Sequence, residues 1–352
     1  MGGDFGPSVT VPAVIDFLIS HPDAAVYLYG REDDIRKRLG SRGGSFYQQV
    51  SDRLQIVHCE QSISADAVPS KVLRGKSRRE SSMWKALQAL SVGEVQACVS
   101  AGETGNLMAM SIKNLGTLPG IARPAICSPL PTRKGRSYIL DLGANVDCSV
   151  IQLHQFATMA TIMLKTMAGW EPSERGAVDL VDKQSTANIC VKTGLPSVAL
   201  LNVGIEDRKG NRVVREVADL LRSDQNINYV GFIEADSLYS GDVDIVVCDG
   251  FVGNVVLKTT EGVARLLIDF IRSESSGYGL ARLQGLLVRP LMKRVLGFLD
   301  PCHYNGASLL GLRGTVVKSH GAADQTGFAR ALDIAFGEAR NDVCKRLNEC
   351  LS

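Results

Sequence analysis

Short runs of β-branched and apolar residues alternate with longer stretches of helical periodicity along the chain. The runs are Ala24 to Tyr29, Leu54 to His58, Ala97 to Ser100, Tyr138 to Leu142, Val198 to Asn202, Val243 to Cys248 and Thr315 to Lys318. Alternation of this kind predicts a mostly parallel sheet wrapped by helices. Several runs stop at a small or acidic polar turn: Ser100-Ala101-Gly102, Asp141-Leu142-Gly143-Ala144-Asn145, Asn202-Val203-Gly204 and Cys248-Asp249-Gly250. These read as the carboxyl ends of strands. In open α/β sheets the ligand crevice lies beyond those ends, so the turns are expected to converge on one site. Taken singly, each is also ordinary strand-to-helix turn chemistry.

No internal repeat, low-complexity tract or Pro/Ser-rich linker divides the sequence, and the polar stretch from Glu171 to Val191 marks no boundary. The expectation is one domain over residues 1–352. A helical excursion is expected from Ser275 to Leu299, where Arg282, Arg289, Lys293 and Arg294 occur without an acidic residue beyond Ser275. Leu283, Leu287, Leu291, Val295 and Leu299 recur every four residues, giving an apolar stripe beside the cations. A basic amphipathic helix of this type lies in a membrane interface, and the alternative is packing on the body or on a second subunit. Pro290 interrupts the pattern and makes a tip or kink.

Composition narrows the class. The 352 residues are 45% hydrophobic and 22% charged, with 39 Lys and Arg against 37 Asp and Glu, a net charge of +2. This excludes a disordered or fibrous chain, and the near-neutral balance argues against a general nucleic-acid binder. Nine scattered cysteines without a C-x-x-C pair read as reduced, cytoplasmic chemistry. The first residues carry neither a basic nor an apolar signal region, and Gly6 stands at the Ser/Thr position of the myristoylation pattern. No uncharged apolar stretch of about 18 residues is long enough to cross a bilayer, which leaves surface association open.

The common nucleotide and hydrolase fingerprints fail letter by letter. Gly75-Lys76-Ser77 lacks the earlier glycine of a Walker A loop, and no G-x-G-x-x-G, G-x-S-x-G or H-E-x-x-H occurs. Five dispersed histidines supply no metal cluster, so no metal or cofactor is expected. What remains is glycine-rich turns with short polar residues: Gly2-Gly3-Asp4, Gly102-Glu103-Thr104-Gly105-Asn106 and Asp249-Gly250-Phe251-Val252-Gly253-Asn254. Backbone N–H groups exposed where such a turn opens a helix form an anion site. Lys258 follows Asn254 by one helical turn, either within reach of that anion or as a solvated surface lysine. Lys71, Arg74, Lys76, Arg78 and Arg79 cluster without an acid among them, as a dock for an acidic partner or as a solvated basic face.

Read together, Met1-Gly2-Gly3-Asp4, Ser100-Ala101-Gly102-Glu103-Thr104-Gly105, Asp141 to Asp147, Asp249 to Val255, Tyr304 to Gly311 and His320-Gly321 resemble the bacterial phosphate acyltransferase (PlsX) family over nearly the whole chain. The resemblance implies a three-layer α/β/α fold like that of phosphotransacetylases and isocitrate dehydrogenases. It implies transfer of a fatty acyl group from acyl carrier protein to orthophosphate, giving acyl phosphate for phospholipid synthesis. It also implies a homodimer, cytoplasmic but touching the membrane, with a membrane glycerol-phosphate acyltransferase (PlsY) acting downstream. The nearest enzymatic rival is a phosphotransacetylase using coenzyme A. A rival of another class is a non-catalytic scaffold that recruits acyl carrier protein.

The residues fit this chemistry without a nucleophilic cysteine. Orthophosphate is already anionic at pH 7 and needs mainly to be held in line with the thioester carbonyl. The attack builds an oxyanion, for which backbone N–H groups or the side chains of Asn145 and Asn254 are suitable donors, each worth about 2.7–4 kcal/mol. The departing thiolate belongs to a thiol of pKa near 8.5, and His320 either protonates it or bonds a turn. On this reading Gly2, Gly3, Asp4, Ser100, Gly102, Thr104 and Gly105 hold phosphate and acyl phosphate. Asn145, Asp249, Asn254, Lys258 and His320 face the reacting centre.

Two departures from the family pattern matter. A strand leads into the family's Met-Gly-Gly-Asp turn, so the natural start of translation is expected upstream of Met1. Glu103 stands where the family carries Asn, with Asn106 in place of a small apolar residue. Like charges repel at close range, so Glu103 is expected to point away from bound phosphate or to weaken it.

Overall fold

The computed structural model describes residues 2–41, 44–167, 194–275 and 304–351. Its strands are Val26–Gly30 (β1), Leu54–His58 (β2), Ala97–Ser100 (β3), Ala125–Thr132 (β4), Gly135–Leu140 (β5), Ser197–Leu201 (β6), Asn228–Ile233 (β7), Ile245–Val247 (β8), Ala307–Leu310 (β9) and Thr315–Lys318 (β10). The seven apolar runs expected as strands account for all of them except β4, β7 and β9.

β1 and β2 form a parallel pair, and the other strands form one sheet in the order β3-β10-β9-β4-β5-β8-β6-β7. Its strands are buried on both faces, which is why they read as continuous apolar runs. Leu140, Val198, Leu200, Ile245 and Val247 pack on one side against Val150–Thr166 (α7), Arg212–Ser223 (α8) and Val343–Leu351 (α11). Their neighbours Ile139, Ala199, Leu201 and Val246 pack on the other side with Ser82–Ser91 (α5), Thr104–Leu115 (α6) and Gly250–Ser275 (α9). The period of two along each strand thus builds both core layers of an α/β/α sandwich. Pro7–Ser20 (α1) and Gln325–Arg340 (α10) pack on each other and cover β1 and β2 through Val14, Leu18, Phe328 and Leu332. An apolar cavity of about 600 Å³ lies between β1 and β3, beneath Met83 of α5 and beside Phe17 of α1.

Strand direction decides where the turns emerge. β10 pairs parallel with β3, but β10 with β9, β9 with β4, and β4 with β5 are each antiparallel. β8, β6 and β7 then continue parallel to β5. Three successive reversals make β5, β8, β6 and β7 run opposite to β3 and β10. The turns after Ser100 and Lys318 therefore leave one edge of the sheet, and those after Leu140, Leu201 and Val247 leave the other.

Ser275 ends α9, and the rest of the excursion expected over 275–299, with Leu283, Leu287, Arg289, Leu291, Lys293 and Arg294, lies outside the described residues. No helix among the described residues is long and apolar enough to cross a membrane.

Candidate active site

At the first edge, the N-terminal turn lies against the exits of β3 and β10. The Asp4 N–H donates to the Gly321 carbonyl at 2.8 Å. Gly3 has φ +73°, and a Cβ there would stand 3.0 Å from that same carbonyl oxygen, so only glycine fits. After β3, the Gly102 N–H donates to Ser100 Oγ at 3.1 Å. Glu103 is the N-cap of α6, and its carboxylate accepts from the Gly105 N–H at 2.8 Å and the Asn106 N–H at 2.7 Å. The glycine turn expected to receive phosphate is thus closed by the protein's own carboxylate, because a side-chain anion satisfies orphan N–H groups at the positive helix end. Asn106 is buried and donates to the Ala67 carbonyl at 2.8 Å, tying α6 to the loop before Pro69–Arg74 (α4).

Lys318, the last residue of β10, has no sequence motif to announce it and was missed by pattern. It is partly buried, lies in register with Ser100, and donates to the Ser319 carbonyl. Its pKa is lowered to about 8, chiefly by burial and with Lys258 adding to the fall, against the opposing pull of Glu103 and Asp4. His320 follows, its backbone N–H held by Asn305 Oδ1 at 2.7 Å. Burial lowers its pKa as well, against the pull of Glu261.

One face of α9 links the two edges of the sheet. Gly250, Asn254, Lys258 and Glu261 are spaced so that they fall on that face. Lys258 Nζ is 2.9 Å from Glu261 Oε2, and His320 Nε2 is 4.0 Å from Glu261 Oε1. With a rise of about 1.5 Å per residue, the eleven steps from Gly250 to Glu261 span about 16 Å.

At the lower end stands Asp141, fully buried, whose carboxylate accepts from the N–H of Ile126 (2.9 Å), Ala144 (3.1 Å) and Asn145 (2.7 Å) and from Asn145 Nδ2 (2.9 Å). Burial raises its pKa while these donors hold it down. Asn145 Nδ2 also donates to the Pro124 carbonyl at 2.9 Å. Both amide hydrogens are spent, which corrects the expectation that this side chain offers a free oxyanion donor. Asp249 Oδ1 accepts from the Val252 N–H at 2.8 Å and so caps α9. The Gly250 N–H donates to the Asn145 carbonyl at 2.8 Å. A Cβ on Gly253 would fall 1.9 Å from the Asp141 carbonyl oxygen, so helix and turn meet at backbone contact.

The expected convergence of all polar turns is therefore corrected. Gly2, Gly3, Asp4, Ser100, Gly102, Thr104, Gly105, Lys258 and His320 gather at the first edge with Lys318. Asn145 and Asp249 belong to the opposite edge. Asn254 is exposed between them, beside Gly143.

Of the basic cluster, Lys71, Arg74 and Arg79 are exposed, whereas Arg78 donates to the Gly75 carbonyl at 2.7 Å and stacks on Trp84 at 4.9 Å. α4, which carries Lys71 and Arg74, packs on α6, with a Cβ on Gly105 only 3.4 Å from Pro69. The patch thus borders the first edge. Burial pushes the thiols of Cys98 and Cys148 up to about 12 and raises those of Cys127 and Cys248, so none is a ready nucleophile. Among the described residues no group of three or more His, Cys, Asp or Glu is placed to hold a metal ion.

A family model described as "Fatty acid synthesis protein" matches residues 1–179 and 184–346. The phosphate acyltransferase of Halorhodospira halophila is 44% identical over 350 residues, covering 99% of this chain and 93% of that protein. The phosphate acyltransferase of Shewanella woodyi is 44% identical over 352 residues, covering 100% and 94%. In fold, the chain is similar to a phosphotransacetylase from Streptococcus pyogenes, with a TM-score of 0.58 at 14% identity, covering 95% of this chain and 91% of that one. A branched-chain phosphotransacylase from Enterococcus faecalis V583 gives a TM-score of 0.52 at 14% identity, covering 96% and 97%.

Proposed function

The chain belongs to the phosphate acyltransferase family, and from that membership we propose that it moves a long-chain fatty acyl group from acyl carrier protein to orthophosphate. The observation that carries the reading is the pair of cations at the first edge, Lys258 and Lys318, beside His320 and bordered by an exposed basic patch. Phosphate sits between these cations, and a phosphate oxygen attacks the thioester carbonyl carbon. The new C–O bond forms as the C–S bond breaks, and the proton of hydrogen phosphate ends on the departing thiol, with His320 as the relay. The Asn254 side chain faces the developing oxyanion. Asp141, Asn145 and Asp249 hold the start of α9 and so position Asn254 and Lys258.

The acidic carrier docks on Lys71, Arg74 and Arg79, close to the start of α6. Exposed Val255, Val263, Leu266 and Phe270, spaced along another face of α9, support a second copy as partner. The product is chemically suited to a downstream membrane acyltransferase, and a peripheral membrane contact belongs to the same reading.

The test is formation of acyl phosphate, trapped with hydroxylamine, from palmitoyl-acyl carrier protein and orthophosphate, with palmitoyl-coenzyme A as a parallel donor. Turnover with the carrier establishes the donor. Turnover with coenzyme A alone reassigns it, and carrier binding without turnover on either donor replaces the enzyme with a recruiting scaffold.

A further inference from the structure

Lys318 is a cation in a setting that ordinarily demands a partner. Its ammonium has three donors, one of which goes to the Ser319 carbonyl. No carboxylate among the described residues lies within ion-pair distance of it. The charged groups that face it come from three elements besides its own: Asp4 from the N-terminal turn, Glu103 from the start of α6, and Lys258 from α9. His320 interacts with it from the segment that follows β10. Of the carboxylates near this group, Asp4 is exposed to solvent, and Glu103 and Glu261 are committed elsewhere. Glu103 caps Gly105 and Asn106, and Glu261 holds Lys258. A partly buried ammonium with spare donors is costly unless an anion completes it.

Two of the three glycine-rich turns that could seat an anion are already taken. The start of α6 is filled by Glu103 and the start of α9 by Asp249. We infer that Lys318 is the principal ligand of the acceptor phosphate, its two remaining N–H donors taking phosphate oxygens while Lys258 and His320 close the site from α9 and from the loop after β10. The inference rests on the reading of orthophosphate as acceptor and adds the residue that selects it. Because burial brings the Lys318 pKa to about 8, its charge is present below that pH and is lost above it. Phosphate affinity falls accordingly by about tenfold per pH unit above the transition.

The experiment follows phosphate binding without turnover, through the thermal stabilisation that inorganic phosphate gives the intact chain, from about pH 6.5 to about pH 9.5. Wild type, Lys318→Arg and Lys318→Met are compared. The phosphate's own ionisation is common to all three and cancels. Wild type should lose affinity through about pH 8, Lys318→Arg should keep it with no such step because a guanidinium stays charged, and Lys318→Met should bind at least about 30-fold more weakly at pH 7. Equal binding by wild type and Lys318→Met at pH 7 overturns the inference, as does a Lys318→Arg profile that keeps the wild-type step. If Lys318→Met fails to fold, the Arg profile alone decides. Acyl phosphate formation measured alongside separates the two readings: binding that tracks Lys318 without acyl phosphate sinks the activity and leaves the ligand, and turnover with an unchanged profile does the reverse.

Discussion

Replacing Glu103 by Asn tests whether the carboxylate at the start of α6 competes with phosphate. Asn is among the best N-cap residues, so helix stability should change by less than about 0.5 kcal/mol. The charge is what changes. Glu103 accepts two backbone N–H groups and faces Lys318. A phosphate charge about 6 Å from it is repelled by about 2.8 kcal/mol at an effective dielectric of 20. Partial exposure and salt remove about half of that, leaving about 1.4 kcal/mol, or a tenfold lower KM for phosphate at pH 7. A second effect opposes the first. Glu103 raises the Lys318 pKa, so its loss moves that group further below about 8 and the gain shrinks as pH rises. Steady-state KM for phosphate at about pH 7 and pH 8.5, at low and high salt, measures both effects. An unchanged or higher KM at the lower pH refutes the reasoning.

Three other outcomes follow from the geometry. Asp141→Asn turns two accepted N–H groups toward an amide that donates, at about 1–3 kcal/mol each less the relief of burying a neutral group. A net loss of about 3 kcal/mol, spread over 352 residues at about 2.1 cal/mol/K each, lowers Tm by about 4 °C, and a shift under about 1 °C would count against a structural role for this carboxylate. Glu338 of α10 is buried on Ser308, with its pKa raised from 4.5 to about 7 chiefly by burial. Its contribution is whole below about pH 4.5 and is lost as pH rises through about 7, so Glu338→Gln should flatten that part of the urea-midpoint profile. The paired change Lys71→Glu with Arg74→Glu should raise KM for the acyl carrier thioester about tenfold at low salt and leave KM for phosphate alone; equal effects on both substrates would place the patch in the phosphate site instead.

The strands in the βα repeats could be read because burial on both faces leaves an unbroken apolar run. Those that escaped had other causes. Pro129 and Pro131 mask β4 as a strand, Gly231 interrupts the apolar run of β7, and β9 is short and follows Asn305-Gly306, which reads as turn. β4 and β9 are the strands that reverse direction, so missing them concealed the split of the polar turns between two edges. Individual site residues were legible where glycine or asparagine marked a turn. Lys318 was not, since a lysine closing Thr315–Lys318 resembles any strand end until register places it beside Ser100. Glu103 was expected to avoid or weaken phosphate, and capping supplied the unforeseen reason it stays in place: two orphan amides bind it better than solvent does.

The length of α9 acts as a ruler. Asn254 and Lys258 are separated by a helical rise of about 6 Å that no side-chain substitution can alter, and Gly253 seats the helix on Asp141 with no slack. Any substrate that touches both residues must match that interval. Selection for a donor of different length therefore acts on what surrounds the helix, while an insertion between the two residues would rotate Lys258 by about 100° off the shared face and break the measure altogether.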